Sequence, residues 1–243
     1  MRNNYKENII MEKGKIYMIP TTLGDSIIDS VIPKDVQQII IGTKYFIVEN
    51  IKTTRRFLKK VERGIDIDEL QFFVLNKHTS SVELESFLNP ALEGNNMGVI
   101  SEAGCPGIAD PGSDIVSIAH SKNIKVVPLI GPSSILLALI ASGMNGQNFC
   151  FNGYLPKERN LRIKKIKELE RQAIIGITQI FMETPFRNNN LMEDLLKQCS
   201  PNTTLCLAAD ISLENEFIQS KKIIDWKKHA PDLNKRPCMF LIG

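Results

Sequence analysis

Residues 101–112, Ser-Glu-Ala-Gly-Cys-Pro-Gly-Ile-Ala-Asp-Pro-Gly, follow directly on the short apolar run Gly98-Val99-Ile100. Glycines at 104, 107 and 112 and prolines at 106 and 111 make this stretch a stiff, irregular loop rather than a helix or strand. Small side chains let a ligand come close to the backbone, whose N–H and C=O groups can then read an adenine, a ribose or an amino-acid moiety. The same composition suits a tight structural crossover. Composition alone leaves both readings open.

Working outward, similar β-rich runs recur at Lys15–Ile19, Tyr45–Val48, Phe72–Leu75 and Val126–Ile130. Helix-like segments lie between them. Thr53–Val61 sets Phe57, Leu58 and Val61 on one face, Ser80 and Glu83 have capping-box spacing, and Asp114–His120 groups Ile115, Ile118 and Ala119. Apolar strands alternating with helices predict a parallel α/β sheet, which binds ligands at the carboxyl ends of its strands. Pro20-Thr21-Thr22-Leu23-Gly24-Asp25 sits at such an end. Taken alone it reads first as a plain βα turn in which Asp25 or Ser26 caps the next helix, and otherwise as a ligand turn. Gly131-Pro132-Ser133-Ser134 makes a third turn of this kind.

Beyond it a second set begins. Strands are expected at Phe149–Phe151, Ile180–Met182, Thr204–Ala208 and Cys238–Ile242, with helices at Ile135–Ala141, Leu161–Arg171 and Asn188–Cys199. The expected organisation is a loose arm at 1–14, an N-terminal α/β domain at 15–130, a linker at 131–134 and a C-terminal α/β domain at 135–243.

Global properties narrow the function. A formal net charge of +3 on 243 residues advertises no nucleic-acid field, so local patches must carry any such argument. The five cysteines lack CxxC spacing and the three histidines stand apart, which speaks against a protein-built metal site. Free thiols, no signal-peptide core and no membrane-length apolar run predict a cytoplasmic protein that stays off membranes. GxGxxG, GxxxxGK[ST] and GxSxG are absent, which excludes the common dinucleotide, P-loop and nucleophile-elbow readings.

In order, IPTTLGD (19–25), SEAGCPGIADPG (101–112), GPSS (131–134), FNGYLPKE (151–158) and METPFR (182–187) resemble the tetrapyrrole methylase superfamily. Within it the chain is similar to bacterial methylases that modify a cytidine 2′-hydroxyl of small-subunit ribosomal RNA. The resemblance spans roughly residues 15–208. It implies two α/β domains, the first with a parallel sheet and the second with a mixed one, S-adenosylmethionine (SAM) in a cleft between them, and a homodimer. It assigns Pro20, Thr21, Leu23, Glu102, Ala103, Gly104, Ser133, Ser134, Met182 and Ala208 to the cofactor. Where those methylases carry Glu-Asp-Thr-Arg this chain has Glu49-Asn50-Ile51-Lys52, and a His-Glu-His-Asn-type segment is replaced by Asn76-Lys77-His78-Thr79.

A hydroxyl acceptor gains from a general base. Glu49, at the end of a strand, is the first candidate, with Lys77 and His78 as base or electrostatic partner; Glu49 as a helix cap and His78 as a surface residue are the plain alternatives. Lys52, Arg187, Lys157 and Arg159 are candidate contacts to ribosomal RNA or the small ribosomal subunit. The last two open a basic stretch that continues through Arg162, Lys164, Lys165 and Lys167, and a smaller cluster surrounds Trp226. The competing functions are methylation of a tetrapyrrole or other small acceptor, and a catalytically silent SAM-binding module.

Overall fold

The computed structural model describes residues 12–76 and 79–243; Lys77, His78 and nearly all of the expected N-terminal arm lie outside them. The chain gathers into two compact units. Of the described residues, one holds 12–22 together with those of Ile27–Pro132, the other Leu23–Ser26 together with Ser133–Gly243.

The first unit runs β1 (Lys15–Ile19), α1 (Ile28–Val31), α2 (Lys34–Ile41), β2 (Tyr45–Val48), α3 (Ile51–Val61), β3 (Gln71–Val74), α4 (Ser81–Phe87), α5 (Asn89–Leu92), β4 (Met97–Ile100), α6 (Gly112–Ser121) and β5 (Lys125–Pro128). Its strands pair in the order β3-β2-β4-β1-β5, all parallel. Period-two alternation splits each strand between two cores. Ile16, Met18, Ile47, Met97 and Val99 pack with Leu84 and Leu88 of the α4 region and Ile115 and Ala119 of α6. Ile19, Phe46, Val48 and Ile100 pack on the opposite face with Ile32, Val36, Ile40, Phe57 and Leu58. A sheet covered on both faces is what a parallel arrangement requires.

Capping chemistry sets the helix starts. Asn50 accepts the Lys52 and Thr53 N–H groups at the head of α3, and Ser80 with Glu83 forms the expected capping box of α4. Ser26 does not cap α1; its hydroxyl bonds Ser212 in the second unit.

The second unit runs α7 (Ser134–Ser142), β6 (Phe149–Tyr154), α8 (Arg159–Ile174), β7 (Thr178–Met182), α9 (Asn188–Gln198), β8 (Thr204–Ala209), β9 (Phe217–Lys222), α10 (Ile223–Trp226) and β10 (Cys238–Ile242). The sheet order is β6-β7-β10-β8-β9, with β6 and β7 parallel and every other pair antiparallel, so it is mixed as expected. One face carries Ile166, Leu169, Leu191, Leu195 and Trp226 from α8, α9 and α10, and the indole N–H donates to the Leu205 carbonyl at 2.9 Å. The other face is covered by Ala138 and Leu139 of α7. Burial pushes the Cys199 and Cys238 thiols up to about 12, so both serve as packing groups.

Among the elements that depart from the sequence reading, beside the short helices α5 and α10, three have a plain physical reason. The run expected to extend to Ile130 leaves the sheet at Pro128, and Ile130 is exposed. Helix α2 was not anticipated, because its KDVQQIII pattern follows a proline with no side-chain cap. Strand β9 was also missed: FIQSKK is a polar edge strand, whose charged residues suppress the apolar signal.

Candidate functional site

In the first unit, β4 lies between β1 and β2, and the registers Ile19↔Ile100 and Val48↔Ile100 end the three strands level. Pro20, Ser101 and Glu49 therefore leave the sheet side by side at its carboxyl edge. The loop 101–112 is gripped from both flanks. From the β1 side, the Thr21 N–H donates to the Gly104 carbonyl at 2.9 Å and the Thr21 hydroxyl to the Ser101 carbonyl at 3.4 Å. From the β2 side, Glu49 Oε1 accepts the Glu102 N–H at 3.2 Å, and the Thr53 hydroxyl of α3 donates to Glu102 Oε1 at 2.6 Å.

Inside the loop, Asp110 acts as its keystone. Both carboxylate oxygens accept the Gly107 N–H at 2.9 Å, and Oδ1 also takes the Gly112 N–H at 2.7 Å. Gly107 needs its glycine, with φ at +85°, and Ala109 is held at φ +63°, a conformation that costs a non-glycine residue of order 1–3 kcal/mol. The Asp110 bonds hold this backbone. If the loop holds the cofactor that the resemblance implies, Asp110→Ala is expected to weaken its binding about 10–100-fold, from one to two lost charge-assisted bonds, with little change in the global unfolding midpoint. Calorimetric titration with SAM alongside thermal melts checks this; unaltered affinity would show that the loop holds its shape without Asp110.

Glu49 is only half-buried, yet its carboxyl is pushed above the ordinary carboxylate range. Burial is the main cause; the nearby Asp110 and Glu102 charges add to it, and the Glu102 N–H opposes it. The capping alternative for Glu49 does not hold, since Asn50 caps α3. Glu49 instead faces the loop. A carboxylate with a raised proton affinity beside a rigid backbone cradle suits proton abstraction from a bound hydroxyl.

Two further features suit a polar ligand at this edge. The Ser101 hydroxyl is buried and has no hydrogen-bond partner among the described residues. Gly131 packs so closely on Pro20 that a Cβ there would lie 2.2 Å from the proline Cγ, so the third turn closes against the first.

The structure thus brings together Pro20, Thr21, Glu49, Glu102, Ala103 and Gly104; Glu102 and Ala103 are exposed, Pro20 and Gly104 buried. Leu23 belongs to the second unit, packed against the core cluster that includes Ala138, Leu139 and Ala208. Ser133, Ser134, Met182 and Ala208 are also in that unit. Ser133 caps α7 by accepting the Leu136 N–H at 3.5 Å, Met182 ends β7 half-buried, and Ala208 is fully buried in β8. Lys77 and His78 lie outside the described residues. Asp110 and Thr53 escaped the sequence reading as site residues. The Asp-Pro-Gly turn could have signalled the former, but nothing local marks the latter.

In the basic stretch at 157–167 some cations are taken up by ion pairs, while Lys157, Lys164 and Lys167 are exposed and the Arg159 side chain is 59% exposed. Arg162 is buried, and its Nε and Nη2 donate to Asp194 at 2.9 and 2.6 Å while Nη1 donates to the Lys157 carbonyl at 3.0 Å. Arg159 donates to the other oxygen of Asp194 at 3.0 Å, and Lys165 pairs with Glu168. Arg159 and Arg162 therefore hold α8 to α9. Arg187 pairs with buried Glu183, and near Trp226 the Lys221 ammonium sits over the indole at 4.7 Å. Lys52, on α3, is exposed.

Among the described residues no group of three or more His, Cys, Asp or Glu side chains could hold a metal ion, and no helix is long and apolar enough to cross a membrane.

No family model matches the chain. It is 29% identical over 239 residues to "Ribosomal RNA small subunit methyltransferase I" of Buchnera aphidicola subsp. Schizaphis graminum, covering 97% of this chain and 80% of that protein. To the protein of the same name from Escherichia coli O157:H7 it is 28% identical, with 95% and 78% covered. Among solved structures, the methyltransferase CobJ superposes with a TM-score of 0.64 at 16% identity, covering 95% and 94% of the two chains. Cobalt precorrin-4 methyltransferase, CbiF, superposes with a TM-score of 0.61 at 13% identity, covering 94% of each. At those identities the structural likeness speaks for the fold.

Proposed function

We propose that this chain, which is similar over most of its length to proteins named ribosomal RNA small subunit methyltransferase I, is a SAM-dependent methyltransferase of the tetrapyrrole methylase type acting on ribosomal RNA of the small subunit, at a ribose 2′-hydroxyl. The observation that carries this reading is the hydrogen bond between Glu49, with its raised proton affinity, and the Glu102 peptide of the gripped loop. The relatives named for small-subunit ribosomal RNA supply the acceptor class. SAM, when bound, supplies a methyl group already activated on a sulfonium.

The chain's task is then alignment and proton removal. The backbone of Glu102, Ala103 and Gly104, with Pro20 and Thr21 beside it, would hold the cofactor, and the unpartnered Ser101 hydroxyl offers one more polar contact. In the second unit Ser133, Ser134, Met182 and Ala208 remain proposed cofactor contacts, with Leu23 beside them. Holding methyl and hydroxyl in line accounts for up to ~7–11 kcal/mol of barrier reduction. Glu49 Oε1 is occupied by the Glu102 N–H, which leaves Oε2 to take the proton of the attacking hydroxyl. Lys77 and His78 remain proposed partners of this base.

The proposal extends to a homodimer working in the cytoplasm. The exposed Leu136 and Ile140 of α7, and the uncharged edge strand β6 with Phe149 and Tyr154, offer the second unit an apolar surface for a second copy.

Methyl transfer from labelled SAM to small ribosomal subunits lacking their own modifications tests the reading. Label should enter RNA and resist alkaline cleavage at the modified nucleotide. Tight SAM binding with no transfer to RNA would overturn it.

A further inference from the structure

We propose that the outer face of α3 is the surface on which the phosphate backbone of the RNA docks, leading the acceptor ribose to Glu49. This rests on the reading that RNA is the acceptor.

Lys52, Arg55, Arg56, Lys59 and Lys60 recur at three- and four-residue spacing along α3, and Arg63 follows one turn later; all six are exposed. At 3.6 residues per turn they form one stripe, with cations returning about every 5.4 Å along the axis. Thr54, Phe57 and Leu58 are buried on the opposite side, and Phe57 and Leu58 pack into the core with Phe46 and Ile40. Burial of that face fixes the basic face outward.

A run of charge is often only a solvated helix surface, but three observations separate this one from α8. First, no acidic residue occurs from Ile51 to Val61, whereas α8 carries Glu168 and Glu170 and gives Arg162 to a buried ion pair. Second, among the described residues no carboxylate pairs with Lys52, Arg55, Arg56, Lys59 or Arg63. Arg55 lies over the Phe72 ring at 5.5 Å and Lys59 donates to the Arg63 carbonyl at 2.9 Å, contacts that place the cations without neutralising them. Glu62, the carboxylate at the end of the helix, is taken up by the Gly64 N–H at 2.8 Å.

Third, the charge is concentrated here. Residues 52–63 hold six cations against one carboxylate, while the whole chain has a formal net charge of +3, so the remainder is slightly acidic. The stripe also begins at the site. Glu49 precedes Asn50, the cap of α3, and Thr53 of the first turn bonds Glu102 of the loop. A backbone tracked along Lys52, Arg56 and Lys59 would thus end at the candidate base. No exposed large apolar side chain interrupts the stripe, as a membrane-surface helix would require. Phosphate contacts of this kind position a nucleic acid without reading its sequence.

The test uses the full-length protein and a fluorescently labelled single-stranded RNA oligonucleotide, read by anisotropy over a range of salt. Arg56→Glu with Lys59→Glu should weaken binding about tenfold or more and lower the salt slope by roughly 1 per lost contact. SAM affinity and the circular dichroism spectrum should not change. Arg56→Gln with Lys59→Gln gives a smaller loss in the same direction and serves if charge reversal perturbs folding. A charge-matched control, Lys125→Glu with Lys197→Glu, should bind as the parent does. On small subunits the α3 variant should raise KM while retaining kcat at saturation.

Parental affinity and slope in both α3 variants would overturn the proposal, as would a parent that does not bind RNA. Loss confined to anionic vesicles or to a protein partner, with RNA binding intact, would overturn it as well. Anisotropy does not depend on turnover, so a parent that binds RNA through α3 yet transfers no methyl group to it would sink the reaction assignment and leave this surface standing.

Discussion

Glu49→Gln is expected to lower methyl transfer by about 10²–10⁴-fold, the range a positioned general base contributes, while SAM affinity stays close to that of the parent. The amide keeps the size of the carboxylate, and its oxygen can still accept the Glu102 N–H that Glu49 Oε1 accepts now. The loop should therefore survive while the proton acceptor is lost. Single-turnover transfer with saturating cofactor isolates the step. A variant that turns over like the parent would remove Glu49 from the chemistry.

The pH profile gives an independent check. Burial, joined by the charges of Asp110 and Glu102, raises the Glu49 carboxyl above its ordinary value of 4.5. The base works only when ionised, so the rate should fall as pH drops through that raised value, and the Gln variant should lose this acid limb. Stability moves in the opposite sense. A group with a raised folded pKa contributes stability that is fully present below its unfolded pKa and lost as pH rises through the folded one. Above that raised value the parent carries an ionised, partly desolvated Glu49, and Glu49→Gln should be as stable or slightly more stable there. A denaturant midpoint that falls in that range would mark Glu49 as a structural group.

Much of this site was legible in the sequence because its signals are local. Glycine and proline after an apolar run marked the 101–112 loop, and runs of Val, Ile and Phe spaced by helical periods marked the parallel sheet. The contacts that grip the loop are not local. Thr21 reaches Gly104, and Glu49 reaches Glu102, because the strand order places β4 between β1 and β2. No pattern within one element encodes that order. Leu23 shows the same limit: it follows β1 in sequence but packs against the core cluster of Ala138, Leu139 and Ala208 in the second unit. Charge was harder still. Whether a cation is free depends on partners far along the chain, as with Arg162 and Asp194, so sequence alone does not separate the basic run at 157–167 from the stripe on α3.

Asp194→Ala is expected to destabilise the second unit by about 3–5 kcal/mol, the cost of leaving a buried cation without its counter-charge. The Asp194 side chain is only 2% exposed and that of Arg162 only 9%. Asp194 receives both Nε and Nη2 of Arg162 and also Nε of Arg159, across 32 and 35 residues of sequence. Arg162 cannot escape by losing its proton, because a guanidinium stays charged in proteins. It can only drag water inward or swing out, and Ile166 and Leu169 of the same helix, which line the core, must yield if it does. Asp194→Asn should recover little, since it restores shape without charge. Replacing both partners by Leu should recover most of the loss, because neither the desolvated charge nor the unpaired one remains. Urea denaturation of the two single variants and the double variant yields the coupling energy. If Asp194→Ala costs less than about 1 kcal/mol, the pair is no more than a surface-type contact, and α8 would regain its claim as a basic surface. If the full cost appears, Arg162 is committed to the fold and is lost to any RNA-binding run on α8, whereas Lys52, Arg55, Arg56 and Lys59 of α3 have no such carboxylate partner among the described residues.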